Sequence, residues 1–238
     1  MTTTAQLYSG KDGTYFAHPR TDIEPLLPAN LSRALEIGCG SGATMRWLRD
    51  TRRIEYAAGI ELVPEMASQA AAVFEQIMVG GVETLILEVP PRSFDLILAL
   101  DILEHLVDPW EVVRSCMHAL KPGGALIASI PNVGHYSVAF PLIFRGDWRY
   151  QDEGLLDRTH LRFFVARTAI ELMTSSGCVL EHIEKVRAPP SLLSRIPARF
   201  GGTHLRWYAT RLMNWLPDWT LFDYRYIIRV RAPGQEPG

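Results

Sequence analysis

Apolar and polar positions along the chain fall into short, continuous apolar runs separated by stretches of helical spacing. Residues 34–37 (Ala34, Leu35, Glu36, Ile37), 56–60, 94–100 (FDLILAL) and 125–130 are runs of the kind a strand buried on both faces requires. Between them, 43–50 reads as a helix, and Pro64 sits where a first helical residue loses nothing by lacking an N–H. Asp108-Pro109 is an N-cap followed by proline, opening a helix to about residue 120. Lys121-Pro122-Gly123-Gly124 ends that helix, a further helix is predicted over 168–176, and a last strand over about 222–230. Strands alternating with helices at this spacing predict an α/β fold built on a doubly wound, mostly parallel sheet. Ligands in such sheets sit beyond the carboxyl ends of the strands. Glu36, Glu61, Asp101 and Pro131-Asn132 all fall at those ends.

The first run stops in a carboxylate and a glycine loop, with Gly38, Gly40 and Gly42 at every second position and Cys39 between the first two. Glycine lets the backbone turn sharply and still leaves room for a ligand against the main chain. The helix that follows points its N-terminus at whatever lies over the loop. A nicotinamide loop has the spacing G-x-G-x-x-G; here the spacing is G-x-G-x-G, with Glu36 two residues before the first glycine. A carboxylate there repels a pyrophosphate and attracts the cationic amino end of a methionine-derived cofactor, which favours S-adenosylmethionine over a dinucleotide. Glu61, followed by Leu62, lies about 20 residues past the loop, the offset from which a carboxylate bridges two ribose hydroxyls. Both cofactor classes carry that ribose, so Glu61 does not separate them.

Taken together, LEIGCGSG, GIEL, SFDLILALDILEHLVDPW and LKPGGALIASIPN resemble the class I S-adenosylmethionine-dependent methyltransferases, over roughly residues 8–186. PNVGHYSV and GLLDRTHLRFF resemble bacterial methyltransferases found alongside glycosyltransferases in surface-polysaccharide pathways, and LDILEHL is similar to the ubiquinone-pathway O-methyltransferases. The resemblance implies a Rossmann-like, seven-stranded sheet whose last strand runs antiparallel. It implies that the glycine loop, with Glu36, Gly38, Cys39 and Gly40, holds the methionine part of the cofactor and Glu61, with Leu62, the ribose side; Asp101 reads as orienting the cofactor end or the base. In the ubiquinone-type relatives, residues matching Asp101, Glu104 and His105 are implicated in a divalent metal site. Their i, i+3, i+4 spacing can put all three on one face of a helical turn. A hard cation such as Mg2+ suits two carboxylates; against this, Glu104 and His105 can simply cap and pack the turn. One position departs from the family. Where relatives carry an acid for the adenine amino group, this chain has Gly81, which leaves backbone and apolar contacts, Glu83, Glu88 or weaker binding as alternatives.

The expected activity is O-methylation of a hydroxyl on a sugar, a glycan or a related small polar acceptor. A quinone-like phenol is the alternative acceptor, and a non-catalytic partner in a glycan-assembly complex is the alternative class. His105, beyond the fourth strand, is the first candidate base, with His135 and His160 as alternatives. Residues 131–165 form a connection far longer than usual, which reads as a lid or acceptor segment. His135, Tyr136, Asp157, Arg158 and His160 are its candidate acceptor contacts, while Phe144 and Trp148 read as packing onto the sheet.

Composition adds limits. A chain of 238 residues holds one large α/β domain over 1–232, with 233–238 as a disordered tail. A net charge of −2 gives no drive toward nucleic acid. Three widely spaced cysteines show no metal spacing and fit a reducing compartment. The first ten residues lack the basic and apolar regions of a signal peptide, and no run reaches membrane-spanning length, so a cytoplasmic protein is expected. The stretch 185–217 carries Lys185, Arg187, Arg195, Arg199, Arg206 and Arg211, with aromatics interleaved and no Asp or Glu. Residues 189–221 therefore read as a helical insertion before the last strand. It suits peripheral contact with the inner face of a membrane, a homodimer face or a cap on the acceptor pocket.

Overall fold

A computed structural model describes residues 18–52, 54–187 and 220–233. The apolar runs become strands β1 (Arg33–Ile37), β2 (Tyr56–Glu61), β3 (Gln76–Val79), β4 (Phe94–Leu100), β5 (Leu120–Pro131), β6 (Val179–Arg187) and β7 (Asp223–Arg231). They form one seven-stranded sheet in the order β3-β2-β1-β4-β5-β7-β6. β7 runs antiparallel to both β5 and β6, and the pairs from β3 to β5 are parallel. This is the mostly parallel, Rossmann-like arrangement the pattern predicts. The helices are α1 (Ala43–Thr51), α2 (Pro64–Ala70), α3 (Val82–Leu85), α4 (Pro109–Ala119), α5 (Tyr136–Arg145) and α6 (Ala166–Thr174).

Alternation along the strands divides the core in two. Leu35, Ile37, Ile97 and Ala99 pack on one face against Val82 and Ile86 and against Val112, Val113 and Cys116 of α4 and Leu172 and Met173 of α6. Ala34, Leu96 and Leu98 pack on the other against Met45 and Leu48 of α1, Ala70 of α2, and Ile23 and Leu26 of a 3-10 turn, Thr21–Leu26. Both faces of the central strands are thus covered, which is why their sequences carry no polar face. Glu36 sits on the α1 side of β1 and is the polar exception in an otherwise apolar strand centre.

The structure corrects three local expectations. Lys121-Pro122-Gly123-Gly124 does not separate helix from strand but belongs to β5. Phe94 pairs with Leu120 and Leu96 with Ala125, so the extra residues bulge out of the ladder, turning at Gly123 with φ +79°. Helix α6 begins two residues earlier than predicted, because Thr168 is not its first residue but its N3 cap, whose hydroxyl accepts from the Val165 N–H at 3.0 Å. Within 131–165, Trp148 packs edge-on to Phe163 with ring centroids 5.3 Å apart, but Phe144 is 78% exposed and packs on nothing in the sheet. That segment has a small core of its own, with Val138, Leu155 and Leu156 against Val133, Phe163 and Tyr224. The predicted insertion 189–221 lies outside the described residues apart from Thr220 and its neighbour, which open a 3-10 turn, Thr220–Phe222. The predicted tail lies outside them beyond Pro233.

Candidate active site

A cavity of about 480 Å3 opens at the carboxyl edge of β1, β2 and β4. Its floor is the glycine loop. Gly38, Gly40 and Gly42 take φ of +69°, +53° and +77°, conformations that favour glycine. The Gly38 and Cys39 amides donate to the Ile60 carbonyl at 2.8 and 3.2 Å, which ties the loop to the end of β2. A Cβ at Gly38 would come within 3.0 Å of Ile102. Glu61 completes the wall. Its two carboxylate oxygens accept from the Gly40 and Val63 amides at 2.8 and 2.9 Å, so the group is fixed before any ligand arrives.

Glu36 is 4% exposed and lines the same cavity. The Thr44 hydroxyl and the Met45 amide donate to it, yet its Oε2 is buried with no partner. Burial, with the Glu61 charge added, pushes its carboxyl up to about 8. A buried, unpaired carboxylate oxygen beside a glycine loop is complementary to a small cation. That orphaned oxygen, with the Glu61 carboxylate held on the wall of the same cavity, fits S-adenosylmethionine. Cys39, Leu62 and Val82 supply apolar lining.

Asp101, also on the wall, has φ +53°. Its amide donates to the Ser129 carbonyl at 3.1 Å and its Oδ1 accepts from the Ser129 hydroxyl at 2.6 Å. The Arg20 guanidinium pairs with Asp101 and Asp22, and Arg225 of β7 pairs with Asp22 at 2.6 Å. Arg20 and Arg225 both line the cavity, and sequence reasoning missed them. Arg20 lies in a stretch without periodicity, and Arg225 in a strand reached only through the sheet order. Gly81 borders the cavity with no heavy atom within 4 Å of an added Cβ. Glu83 also borders it and accepts from the Asp108 amide at 2.8 Å, whereas Glu88 does not line it.

The 3-10 turn Leu103–His105 and the run 151–162 are bound together, because the Leu161 and Arg162 amides donate to the Glu104 carbonyl at 2.8 and 2.9 Å. His105 lines the cavity, and its Nδ1 lies 3.1 Å from the Thr159 carbonyl. A carbonyl only accepts, so Nδ1 carries a proton. His160 does not line the cavity. It contacts His105 edge-on with ring centroids 4.7 Å apart, and its Nδ1 faces the Leu155 carbonyl at 3.2 Å. Asp101, Glu104 and His105 do not gather as the spacing suggested, since Asp101 is committed to Arg20 and Ser129 on a non-helical backbone. Glu104 and His105 gather with His160 instead, with one ligand atom of each within 4.8 Å of the others. One carboxyl and two imidazoles do not fit Mg2+, which takes oxygen donors. Burial and the Asp101 charge hold the Glu104 carboxyl well above the usual range.

The remaining acceptor candidates do not reach the cavity. His135 is buried as the N-cap of α5, where its Nδ1 accepts from the Ser137 amide at 3.3 Å, and burial lowers its pKa to about 4. Tyr136 stacks near it, ring centroids 4.2 Å apart. Asp157 accepts from the Thr159 amide and hydroxyl at 2.9 and 2.7 Å and shapes a turn, and Arg158 is exposed and pairs with Asp152 at 3.0 Å. Asn132 also proves a clamp: its Nδ2 donates to the carbonyls of Thr220 and Asp223 at 2.8 and 2.7 Å.

Residues 35–128, the stretch that builds the loop, the wall and β4–β5, match the family model described as a methyltransferase domain. The ubiquinone biosynthesis O-methyltransferase of Xanthomonas campestris is 30% identical over 164 residues, covering 63% of this chain and 67% of that protein. The chain belongs to the S-adenosylmethionine-dependent methyltransferases. The protein of the same name from Xylella fastidiosa is 33% identical over 116 residues, so this methyltransferase chain spans about half (46%) of that relative's length. An S-adenosylmethionine-dependent methyltransferase structure from Archaeoglobus fulgidus superposes with a TM-score of 0.63 at 15% identity, covering 94% of this chain and 96% of that one. At that identity the superposition shows a shared methyltransferase fold.

Proposed function

We propose that the protein transfers the methyl group of S-adenosylmethionine to the oxygen of a phenol-like hydroxyl on a small ring acceptor. The observation that supports this reading is His105, an imidazole on the cavity wall whose Nδ1 lies 3.1 Å from the Thr159 carbonyl, and we assign it the role of base. An imidazole near neutral pH takes the proton of a phenol, whose pKa is about 10, far more readily than that of an aliphatic hydroxyl. The apolar rim of Leu106, Val107 and Leu161 suits a ring face. The similarity to ubiquinone biosynthesis O-methyltransferases supports the same choice. A glycan acceptor draws less support, because His135, Tyr136, Asp157 and Arg158 do not line the cavity.

S-adenosylmethionine, when bound, supplies a methyl carbon made electrophilic by its sulfonium. Glu36 and the loop glycines would hold the methionine end, Glu61 the ribose, and Leu62 with Val82 the adenine side. Asp101, fixed by Arg20 and Ser129, holds its charge in one place rather than following the acceptor. His105 accepts the hydroxyl proton at Nε2, beside the apolar rim of Leu106, Val107 and Leu161. Orientation of this kind supplies as much as about 7–11 kcal/mol, and a positioned base roughly a hundredfold or more.

Calorimetry with S-adenosylmethionine, with its demethylated product and with NAD tests the cofactor. Labelled-methyl transfer to a catechol and to a free sugar tests the acceptor. His105→Ala is expected to lower kcat on the catechol by roughly a hundredfold or more with cofactor affinity unchanged. Turnover of the sugar alone would replace the phenol with a glycan. Failure to bind the cofactor would move the chain to the non-catalytic class.

A further inference from the structure

Two guanidinium groups border the cavity, and they are not equally engaged. Arg20 is committed on every side. Its Nε and Nη2 donate to Asp22 at 3.0 and 3.1 Å, its Nη2 also to the Ser129 hydroxyl at 3.0 Å, and its Nη1 to Asp101. Arg225 has a single acid. Its Nη2 donates to Asp22 at 2.6 Å, its Nε is buried without an acceptor, and its Nη1 has none among the described residues. The group is fixed all the same. It stands in β7 between Pro131 of β5 and Val186 of β6, and Asp22 anchors its tip from the 3-10 turn Thr21–Leu26. A guanidinium carries five N–H donors in a rigid fork that matches a carboxylate, and donors left unmade in a partly buried place are costly. The Arg225 side chain is 28% exposed, so a ligand in the cavity can reach it.

Charge divides the cavity wall. Glu36, Glu61 and Glu83 line the side built by β1, β2 and the start of α3. Arg20 and Arg225 line the end toward β5 and β7, where Arg20 answers Asp101 and Asp22 stands behind the wall. An anion entering the cavity meets least repulsion at that end. We propose that Arg225 binds a carboxylate on the methyl acceptor, which makes the substrate an aromatic hydroxy acid rather than a neutral phenol. The inference rests on the methyl-transfer reading above. The cofactor carries a carboxylate too, but its methionine part is assigned to the loop after β1. In the sheet order β7 stands three strands from β1, roughly 14 Å at the usual strand spacing. An acceptor held by its acid at Arg225 and by its hydroxyl at His105 is fixed at two points, and such orientation is what in-line transfer requires.

The test compares 3,4-dihydroxyphenylacetate with its neutral amide, in labelled-methyl transfer and in calorimetric binding to the complex with the demethylated product. The acid is expected to exceed the amide by roughly tenfold or more in kcat/KM and in affinity, and Arg225→Gln is expected to bring both ratios near one. Arg225→Lys should keep part of the preference, as a charge without the fork. Both compounds are read on the same preparation, so a lower folded fraction leaves the ratios unmoved. Equal treatment of acid and amide by the parent, or binding of neither, overturns the proposal. So does a preference that Arg225→Gln leaves in place. A variant that weakens S-adenosylmethionine itself and slows both acceptors alike gives the guanidinium to the cofactor's carboxylate and overturns it as well. Preferred binding of the acid without methyl transfer to it supports the carboxylate site and counts against the phenol reading.

Discussion

Glu36 joins the cofactor loop to pH. Its carboxyl titrates near 8 because it is buried beside Glu61, whereas an unfolded glutamate titrates near 4.5. The folded chain thus keeps a proton that the unfolded chain loses above pH 4.5. Its contribution to stability is fully present below about 4.5 and is lost as pH rises toward 8. A cationic ligand beside Oε2 reverses the preference and expels that proton. Affinity for S-adenosylmethionine is therefore expected to rise by up to about tenfold per pH unit from 6 to 8. Binding heats at pH 7 are expected to vary with the ionisation enthalpy of the buffer. Glu36→Gln should bind more weakly, with no pH dependence in that window; calorimetry in two buffers reads both. Gly81 gives the opposite kind of test. It borders the cavity, its φ of −67° suits any residue, and an added Cβ meets nothing. Gly81→Asp is expected to tighten cofactor binding several-fold through one charge-assisted hydrogen bond, worth roughly 1.5–3 kcal/mol before solvent competition. It should leave the melting temperature within a few degrees, since Asp and Gly differ little as N-caps.

At the scale of elements, legibility followed locality. The loop, β1, β2 and β4 could be read because each is a continuous run whose chemistry lies within a few residues of its own strand end. Asp101, Glu104 and His105 were legible as functional residues but not as a group. Their spacing assumed a helical turn, and the backbone instead turns through φ +53° at Asp101 and commits it to Arg20, 81 residues away. His160 joins His105 through a docking of 151–162 on Glu104 that no local pattern announces. Asn132 marks the same limit. It stands at a strand end, where a ligand contact was expected, and instead donates to two carbonyls of the returning chain. Asn132→Ala is expected to cost about 1–3 kcal/mol of stability by leaving buried acceptors unpaired. A urea titration should show a lower midpoint with little change in cofactor affinity per folded molecule.

At the scale of the molecule, ligand and fold share one account. At a cofactor concentration of 100 Kd, binding adds about 2.7 kcal/mol, which for a chain of this size raises Tm by roughly 5–10 °C. Scanning calorimetry with and without S-adenosylmethionine checks this, and Glu61→Ala should lose most of the shift. The sheet order also has a consequence for chain length. Arg187 at the end of β6 and Asp223 at the start of β7 are register partners, joined by a buried ion pair at 3.1 Å. Whatever lies between them hangs from two fixed neighbouring posts, so its length is nearly free: each halving of a loop saves only about 0.6 kcal/mol of closure entropy. A short Gly/Ser link in place of 188–219 should keep the sheet and cofactor binding, which calorimetry with S-adenosylmethionine checks. The protein is in this sense a fixed frame with a free span: the seven strands set where the stretch begins and ends and leave its length open.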